Sequence, residues 1–195
     1  MEEQKKYEQE FEKFLSKEKH LALMIRTRVK KYGESKIAVR HKTSGEWVSF
    51  TWAKFGKMID EAALGLLEFG VKEEGLVGIF ANNQVEWAVS DFASFTIRAA
   101  SVPIYATNSA KELEYIANHA EINILFVGNQ TQYDKAISIF KDSPCLKKIV
   151  VYDKTANIEK SSDVMYFEDF LAIGRNSKMQ MVLEKRLSMF DSEDL

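Results

Sequence analysis

Gly65-Leu66-Leu67-Glu68-Phe69-Gly70, followed by Val71-Lys72, misses by one lysine position the glycine loop that cradles nucleotide phosphates with backbone N–H groups. Such a loop joins a strand to a helix. Here both glycines close an apolar repeat of helical spacing, so the segment reads as a helix end. No G-x-G-x-x-G occurs anywhere. His20, His41 and His119 stand far apart, none with a second ligand at i+3 or i+4, and no zinc site is expected. Ser138-Ile139-Phe140-Lys141 spells S-x-x-K inside an amphipathic helical pattern, where the match is one of chance. Asn129-Gln130-Thr131 is a glycosylation sequon that matters only in a secreted protein. Trp47, Trp52 and Trp87 read as packing anchors rather than base-stacking platforms, because no basic stripe accompanies them. Cys145 is the only cysteine, so an intramolecular disulfide and a multi-cysteine metal site are both excluded. It follows Pro144 in an expected turn and reads as a bystander thiol. Residues 1–195 therefore receive no catalytic, cofactor-binding or metal-ligating assignment.

The positioning elements are far clearer. The chain has 195 residues and 46% hydrophobic content, enough for one globular domain or a large piece of one. Its 27 basic and 29 acidic side chains leave a formal charge of -2, which gives no electrostatic ground for a nucleic-acid partner. No apolar run follows the N-terminus and none approaches the ~20 residues that span a bilayer. The expectation is a soluble, cytoplasmic protein whose membrane contact, if any, is peripheral.

Tyr7, Phe11, Phe14 and Leu15 recur at helical spacing and predict a helix over 2–19 with one apolar stripe. It would dock on the domain by a narrow face; a membrane-surface helix is the alternative, opposed by a polar face of mixed charge. A second helix is expected over 21–32, ending near Gly33. Residues 1–33 are read as N-terminal helices packed on the domain and 34–195 as an α/β unit. IAVRH (37–41) and EWVSFT (46–51) flank a glycine-containing turn and predict a β-hairpin. A strong helix pattern then starts at the N-cap candidate Thr51 and stops at Gly70.

Four apolar runs follow: VGIFA (77–81), SVPIY (101–105), INILFV (122–127) and KKIVVY (147–152). Helix patterns over about 84–100, 109–120 and 131–141 separate them. Apolar strands alternating with amphipathic helices predict a parallel sheet flanked by helices, joined by right-handed crossovers. Pro103 lacks an N–H and suits an edge strand or a strand end. Ser109-Ala110-Lys111-Glu112 has capping-box spacing, so 101–109 is a strand that turns straight into a capped helix. Such turns line ligand crevices in open α/β sheets. Beyond 153, VMYFEDFLAIG (164–174) reads as a strand entering a short helix, and a mixed-charge helix is expected over about 175–188.

Taken in order, SFTWAKF (49–55), LLEFGVKEEG (66–75), VGIFANNQVEWAVSDFA (77–93) and IRAASVPIYATNSAKELEYIANHAEINILFVG (97–128) resemble the start of the AMP-forming acyl-CoA synthetases. These belong to the adenylate-forming superfamily, and the closest likeness is to its long-chain fatty-acid branch. Leu76 departs from the pattern, since relatives usually carry aspartate there. The resemblance implies the N-terminal subdomain of the adenylate-forming fold, and a parent enzyme that is a long-chain-fatty-acid–CoA ligase. That parent would use fatty acid, ATP, Mg²⁺ and CoA, forming acyl-adenylate and pyrophosphate and then passing the acyl group to the thiol with release of AMP.

In the family an acidic segment like Asp191-Ser192-Glu193-Asp194-Leu195 leads into the phosphate-binding loop Y-T-S-G-T-T-G-x-P-K-G. The expectation is therefore a unit truncated before that loop, inactive by itself and binding no cofactor, with no family catalytic residue carried over. Tyr105, Thr107 and Asn108 are candidates for the edge of a crevice, or for structural support only. A homodimer is allowed, because family members pair through N-terminal regions. Two alternatives stay open: a standalone α/β binding or regulatory domain, and a piece of another adenylate-forming ligase acting on an aryl or amino acid.

Overall fold

The structure, a computed structural model, describes residues 4–9, 20–43 and 45–190. Residues 4–9 are helical with Tyr7 exposed, while Phe11, Phe14 and Leu15 of the expected stripe lie outside the described residues. Helix α1 (Leu21–Tyr32) starts at His20, whose Nδ1 accepts the Ala22 N–H at 3.1 Å, and ends at Gly33 with φ 47°. Strands β1 (Ile37–Thr43) and β2 (Glu46–Thr51) form the antiparallel hairpin. Helix α2 (Trp52–Glu68) is capped by the Thr51 hydroxyl, which accepts from the Lys54 N–H, and Gly70 follows it at φ 77°. The near-miss phosphate loop is thus a helix end, as its spacing implies.

The second sheet holds β3 (Leu76–Phe80), β4 (Ala100–Ile104), β5 (Ile124–Val127), β6 (Lys148–Val151) and β7 (Val164–Tyr166), all parallel, in the order β4-β3-β5-β6-β7. Helix α3 (Val85–Thr96) connects β3 to β4, α4 (Ala110–His119) connects β4 to β5, and α5 (Gln130–Ile139) connects β5 to β6. Helices α6 (Phe167–Arg175) and α7 (Gln180–Ser188) follow β7. Pro103 lies in β4, an edge strand that pairs with β3 alone, where a missing N–H is tolerated.

Alternation along the strands sorts side chains into two cores. Val77, Ile79, Ile124, Phe126, Val150 and Met165 meet α1, α2, α3, α6 and α7 on one face. Phe80, Leu125, Val127, Ile149, Val151 and Val164 meet α4 and α5 on the other. Successive strand residues point to opposite faces, so a continuously apolar strand needs helices on both sides. The result is a three-layer α/β/α sandwich.

The structure moves several expected boundaries. The helix expected over 84–100 stops at Thr96, because Arg98 takes a left-handed conformation (φ 59°) and the Ala99 N–H returns to the Ser94 carbonyl at 3.0 Å. Ala99 therefore lies outside the helix. The strand expected from Ile122 begins at Ile124, since Glu121 (φ 50°) closes the preceding helix. Helix α7 begins at Gln180 rather than 175: Ser177 turns the chain, its hydroxyl accepting the Met179 N–H and donating to Glu68 at 2.6 Å. Strand β7 joins the sheet as a fifth parallel member, beyond the four apolar runs. Trp47 is no packing anchor; it is 66% exposed on β2, whose one buried residue is Phe50. Trp52 and Trp87 do pack against the core.

Helices α2 and α6 cross at very short range. A Cβ on Gly174 would lie 1.7 Å from the Glu61 carbonyl oxygen and 2.9 Å from the Gly65 nitrogen. Beside this contact Arg175 grips the buried Glu61 carboxylate with two parallel bonds of 2.9 Å. Helix α7 is held at the opposite end of the sheet from the carboxyl ends, where Arg186 donates to the carbonyls of Val71 and Ile97.

Candidate functional site

Strand order reverses beside β3: the chain steps outward to β4, crosses back to β5 and continues to β7. At such a reversal the connecting helices leave on opposite faces and open a crevice beyond the carboxyl ends of the strands. A cavity of about 720 Å³ lies there. Its walls come from the turns after β3 (Asn82, Asn83, Gln84), β5 (Gly128, Asn129), β6 (Tyr152, Asp153, Lys154, Thr155) and β7 (Tyr166, Phe167, Glu168). His41, Lys42 and Val48 of the hairpin form one side.

The floor is rigid because hydrogen bonds prolong the sheet past its strands. The Gly128 N–H donates to Phe80 at 3.1 Å, Tyr152 to Val127 at 2.9 Å, and Asp153 to Gly128 at 3.0 Å. Below it the rings of Tyr152, Phe126, Phe167 and Phe170 pack edge to face and offset, with Tyr152 and Phe167 centroids 5.2 Å apart at 90°. The Tyr152 hydroxyl donates to Ser90 Oγ at 2.8 Å, joining β6 to α3. Burial raises this phenol well above its ordinary 10.0; the bond to Ser90 opposes the rise, and the Glu86 and Asp91 carboxylates add to it. Asp91 accepts from the Ser101 hydroxyl and so ties α3 to β4. Burial holds its carboxyl above the usual range against that hydrogen bond.

Some lining groups serve the turns themselves. Asn129 caps α5, its Oδ1 accepting from the Thr131 N–H at 2.9 Å, and Asp153 accepts from the Thr155 N–H at 2.8 Å and the Thr155 hydroxyl at 2.6 Å. Among the described residues the side chains of Asn82, Asn83 and Gln84 have no hydrogen-bond partner and face the crevice. These donors and acceptors, with Lys42 and Lys154, suit a polar ligand. They do not by themselves make a Mg²⁺-triphosphate site. Glu86 and Glu168 stand in the first turns of different helices, Asp153 is occupied by Thr155, and no group of three or more His, Cys, Asp or Glu among the described residues could hold a metal ion.

A second crevice of about 700 Å³ opens between β3 and β4, sharing Asn82 and Asn83 with the first and bounded by Trp87, Pro103 and Tyr105. Of the three sequence candidates, Tyr105 lines it; Asn108 lines a shallow depression on α4, and Thr107 lines neither. The turn carrying them is clamped from α5. Gln132, only 4% exposed, donates to the Ala106 carbonyl at 3.1 Å and accepts the Asn129 N–H at 3.1 Å. Lys135 donates to the Asn108 carbonyl at 2.6 Å. The capping box at Ser109 is present, the Ser109 N–H reaching Glu112 at 2.7 Å. Asn82, Asn83 and Tyr152 escape a motif search because they carry no spacing signature, whereas Gln132 stands three residues after Asn129 in a capping box. The rule that ligands sit beyond strand carboxyl ends, applied to every strand rather than only to 101–109, would have pointed to the first three.

This geometry defines a doubly wound α/β domain with crevices beyond the carboxyl ends of the strands at its switch point. Residues 25–181 match the family described as AMP-binding enzyme, and the chain belongs to that family. The long-chain-fatty-acid–CoA ligase ACSBG2 of Xenopus laevis is 30% identical over 148 residues, covering 76% of this chain and 20% of that protein. The human ligase ACSBG1 is 31% identical over 144 residues, 74% of this chain and 20% of its own length. The crystal structure of a long-chain-fatty-acid–CoA ligase (FadD1) from Archaeoglobus fulgidus superposes with a TM-score of 0.64 at 21% identity, covering 80% of this chain and 30% of that one, a likeness of fold. The chain spans about a fifth of the length of the curated relatives it matches. Among the described residues no helix is long and apolar enough to cross a membrane.

Proposed function

We propose that the chain is the N-terminal portion of a long-chain-fatty-acid–CoA ligase and forms one wall of its catalytic cleft. The observation that supports this most is the family match over 25–181, joined to 30% identity with a ligase of that specificity. The parent enzyme joins a fatty acid to CoA at the expense of ATP, with Mg²⁺ screening phosphate charge, through acyl-adenylate. This chain supplies the sheet and the crevice walls; the Mg²⁺ ligands come from other parts of the parent, since the crevice's own acids are dispersed or already bonded. ATP–pyrophosphate exchange with palmitate tests the reading. The 195-residue chain alone gives no exchange, and the chain joined in frame to the remainder of a ligase of this family gives fatty-acid-dependent exchange. Exchange by the isolated chain, or exchange by the joined enzyme with aryl or amino acids only, refutes it.

A further inference from the structure

Charge is balanced over the whole chain but not across the fold. Residues 21–57, from α1 to the start of α2, hold nine lysines and arginines against two acids, Glu34 and Glu46. That is a formal +7 in a chain whose net charge is -2. Lys30, Lys31, Lys36, Arg40, Lys42 and Lys54 are exposed and form no salt bridge among the described residues. The fold gathers them. The Trp52 N–H donates to the Lys36 carbonyl at 3.1 Å and the Ala53 N–H to the Gly33 carbonyl at 3.0 Å, so the end of α1 lies against the start of α2. Lys31 and Lys36 Nζ stand 5.2 and 4.6 Å from the centre of the Tyr32 ring, and Lys54 Nζ 4.5 Å from that of Phe50. On the hairpin Arg40 and Lys42 pair with Ser49 and Trp47, and alternation puts all four on the face opposite Phe50. The exposed Trp47 indole therefore lies across from Lys42 and diagonal to Arg40.

Lys30 and Lys31 complement the carbonyl end of α1, but the fold draws no such gain from the others. Lys54 stands in the first turn of α2, where a cation opposes the helix dipole, and neither Arg40 nor Lys42 has an acid across the hairpin. Uncompensated positive charge around an exposed indole fits the surface of an anionic bilayer. Lysines near it gain from its negative potential, and tryptophan prefers the headgroup layer. Five of the six cations are lysines, point charges rather than the flat guanidinium forks that favour nucleic acid.

We propose that the end of α1, the hairpin face carrying Trp47 and the start of α2 form a docking surface for an anionic lipid bilayer, with the indole seated among the headgroups. Sedimentation of the 195-residue chain is run with mixed phosphatidylserine–phosphatidylcholine vesicles and with phosphatidylcholine vesicles. The chain pellets with the mixed vesicles, stays in solution with phosphatidylcholine alone, and is released by added salt. Each cation near such a surface is worth about fivefold in partitioning, so Arg40→Gln/Lys42→Gln and Lys31→Gln/Lys36→Gln each weaken binding by about twenty-five-fold. Lys111→Gln/Lys141→Gln removes two exposed lysines on the opposite face of the sheet and leaves binding unchanged. Tryptophan emission shifts to the blue on the mixed vesicles, and Trp47→Phe lacks that shift. Absence of binding to the mixed vesicles, equal binding to phosphatidylcholine alone, or equal loss in the Lys111/Lys141 variant overturns the proposal. Binding that survives both patch variants overturns it as well, by placing the lipid contact elsewhere in the chain. So does binding of a mixed-sequence single-stranded oligonucleotide, read by anisotropy, in place of the mixed vesicles. Because sedimentation reads this chain directly, the result holds whether or not pyrophosphate exchange supports the ligase reading.

Discussion

Replacing Gly174 by alanine places one methyl group into the crossing of α2 and α6. Its new atom would lie 1.7 Å from the Glu61 oxygen, 2.7 Å from the Glu61 carbonyl carbon and 2.9 Å from the Gly65 nitrogen. All three are backbone atoms, so no rotamer change relieves the contact and the helices must separate. Separation loosens Phe170 and Leu171 from Ala62 and Leu66, side chains that share one core. Overpacking costs about 1–3 kcal/mol even where side chains can yield, so this site belongs at or above about 3 kcal/mol. Better helix propensity returns about 1 kcal/mol. The net loss is about 2 kcal/mol or more, a fall of roughly 4–8 °C in melting temperature for a domain of this size.

The informative control is Gly56→Ala, whose Cβ would have its three nearest neighbours in the Val29 side chain, the closest at 2.5 Å. Val29→Ala should rescue Gly56→Ala and leave Gly174→Ala unrelieved. Urea unfolding followed by circular dichroism reads both, as a shift of midpoint at constant slope. A Gly174→Ala chain within about 0.5 kcal/mol of the parent, the range of an ordinary surface change, refutes the close-contact argument.

Two further outcomes follow from the buried polar groups. Gln132→Leu leaves the Ala106 carbonyl and the Asn129 N–H without their partner, costing about 1–3 kcal/mol; hydrogen exchange should then speed up at residues 105–108 while the middle of α4 stays protected. The Tyr152 phenol keeps its proton in the fold while the unfolded one releases it near 10.0, so stability is complete below that pH and falls above it, by up to about 1.4 kcal/mol per pH unit. Ultraviolet titration should show a tyrosine step that appears only as the chain unfolds, and Tyr152→Phe should remove that delayed step.

The layered fold was legible because its signals are local. Ile79 and Phe80 are adjacent in sequence and enter opposite cores, and that demand for apolar surface on both faces is written in the run VGIF. Thr51, Gly70 and the Ser109–Glu112 box likewise mark their helix ends within a few residues. What stayed hidden depends on distant contact or on single conformations. Arg98 in a left-handed state cuts a helix that periodicity would carry to residue 100, and nothing in its side chain announces it. Gly174 looks like a helix-weakening residue until Glu61 is seen against it. Asn82 and Asn83 form a wall of two crevices only after the turns beyond β3, β4, β5 and β6 converge. Tyr105 was within reach because its proline-bearing strand and capped helix define a turn, whereas the bond from Gln132 to the neighbouring Ala106 carbonyl was not.

The division between a hydrogen-bonded floor and walls borrowed from separate turns carries an evolutionary corollary. Apart from Gly128, Tyr152 and Asp153, whose backbones carry the floor, each wall can be rewritten by changing a handful of residues, so descendants of one ancestor could exchange cargo while inheriting the same chassis. Selection would then leave its record in the short turns beyond the strands, and the strands themselves would testify only to shared descent.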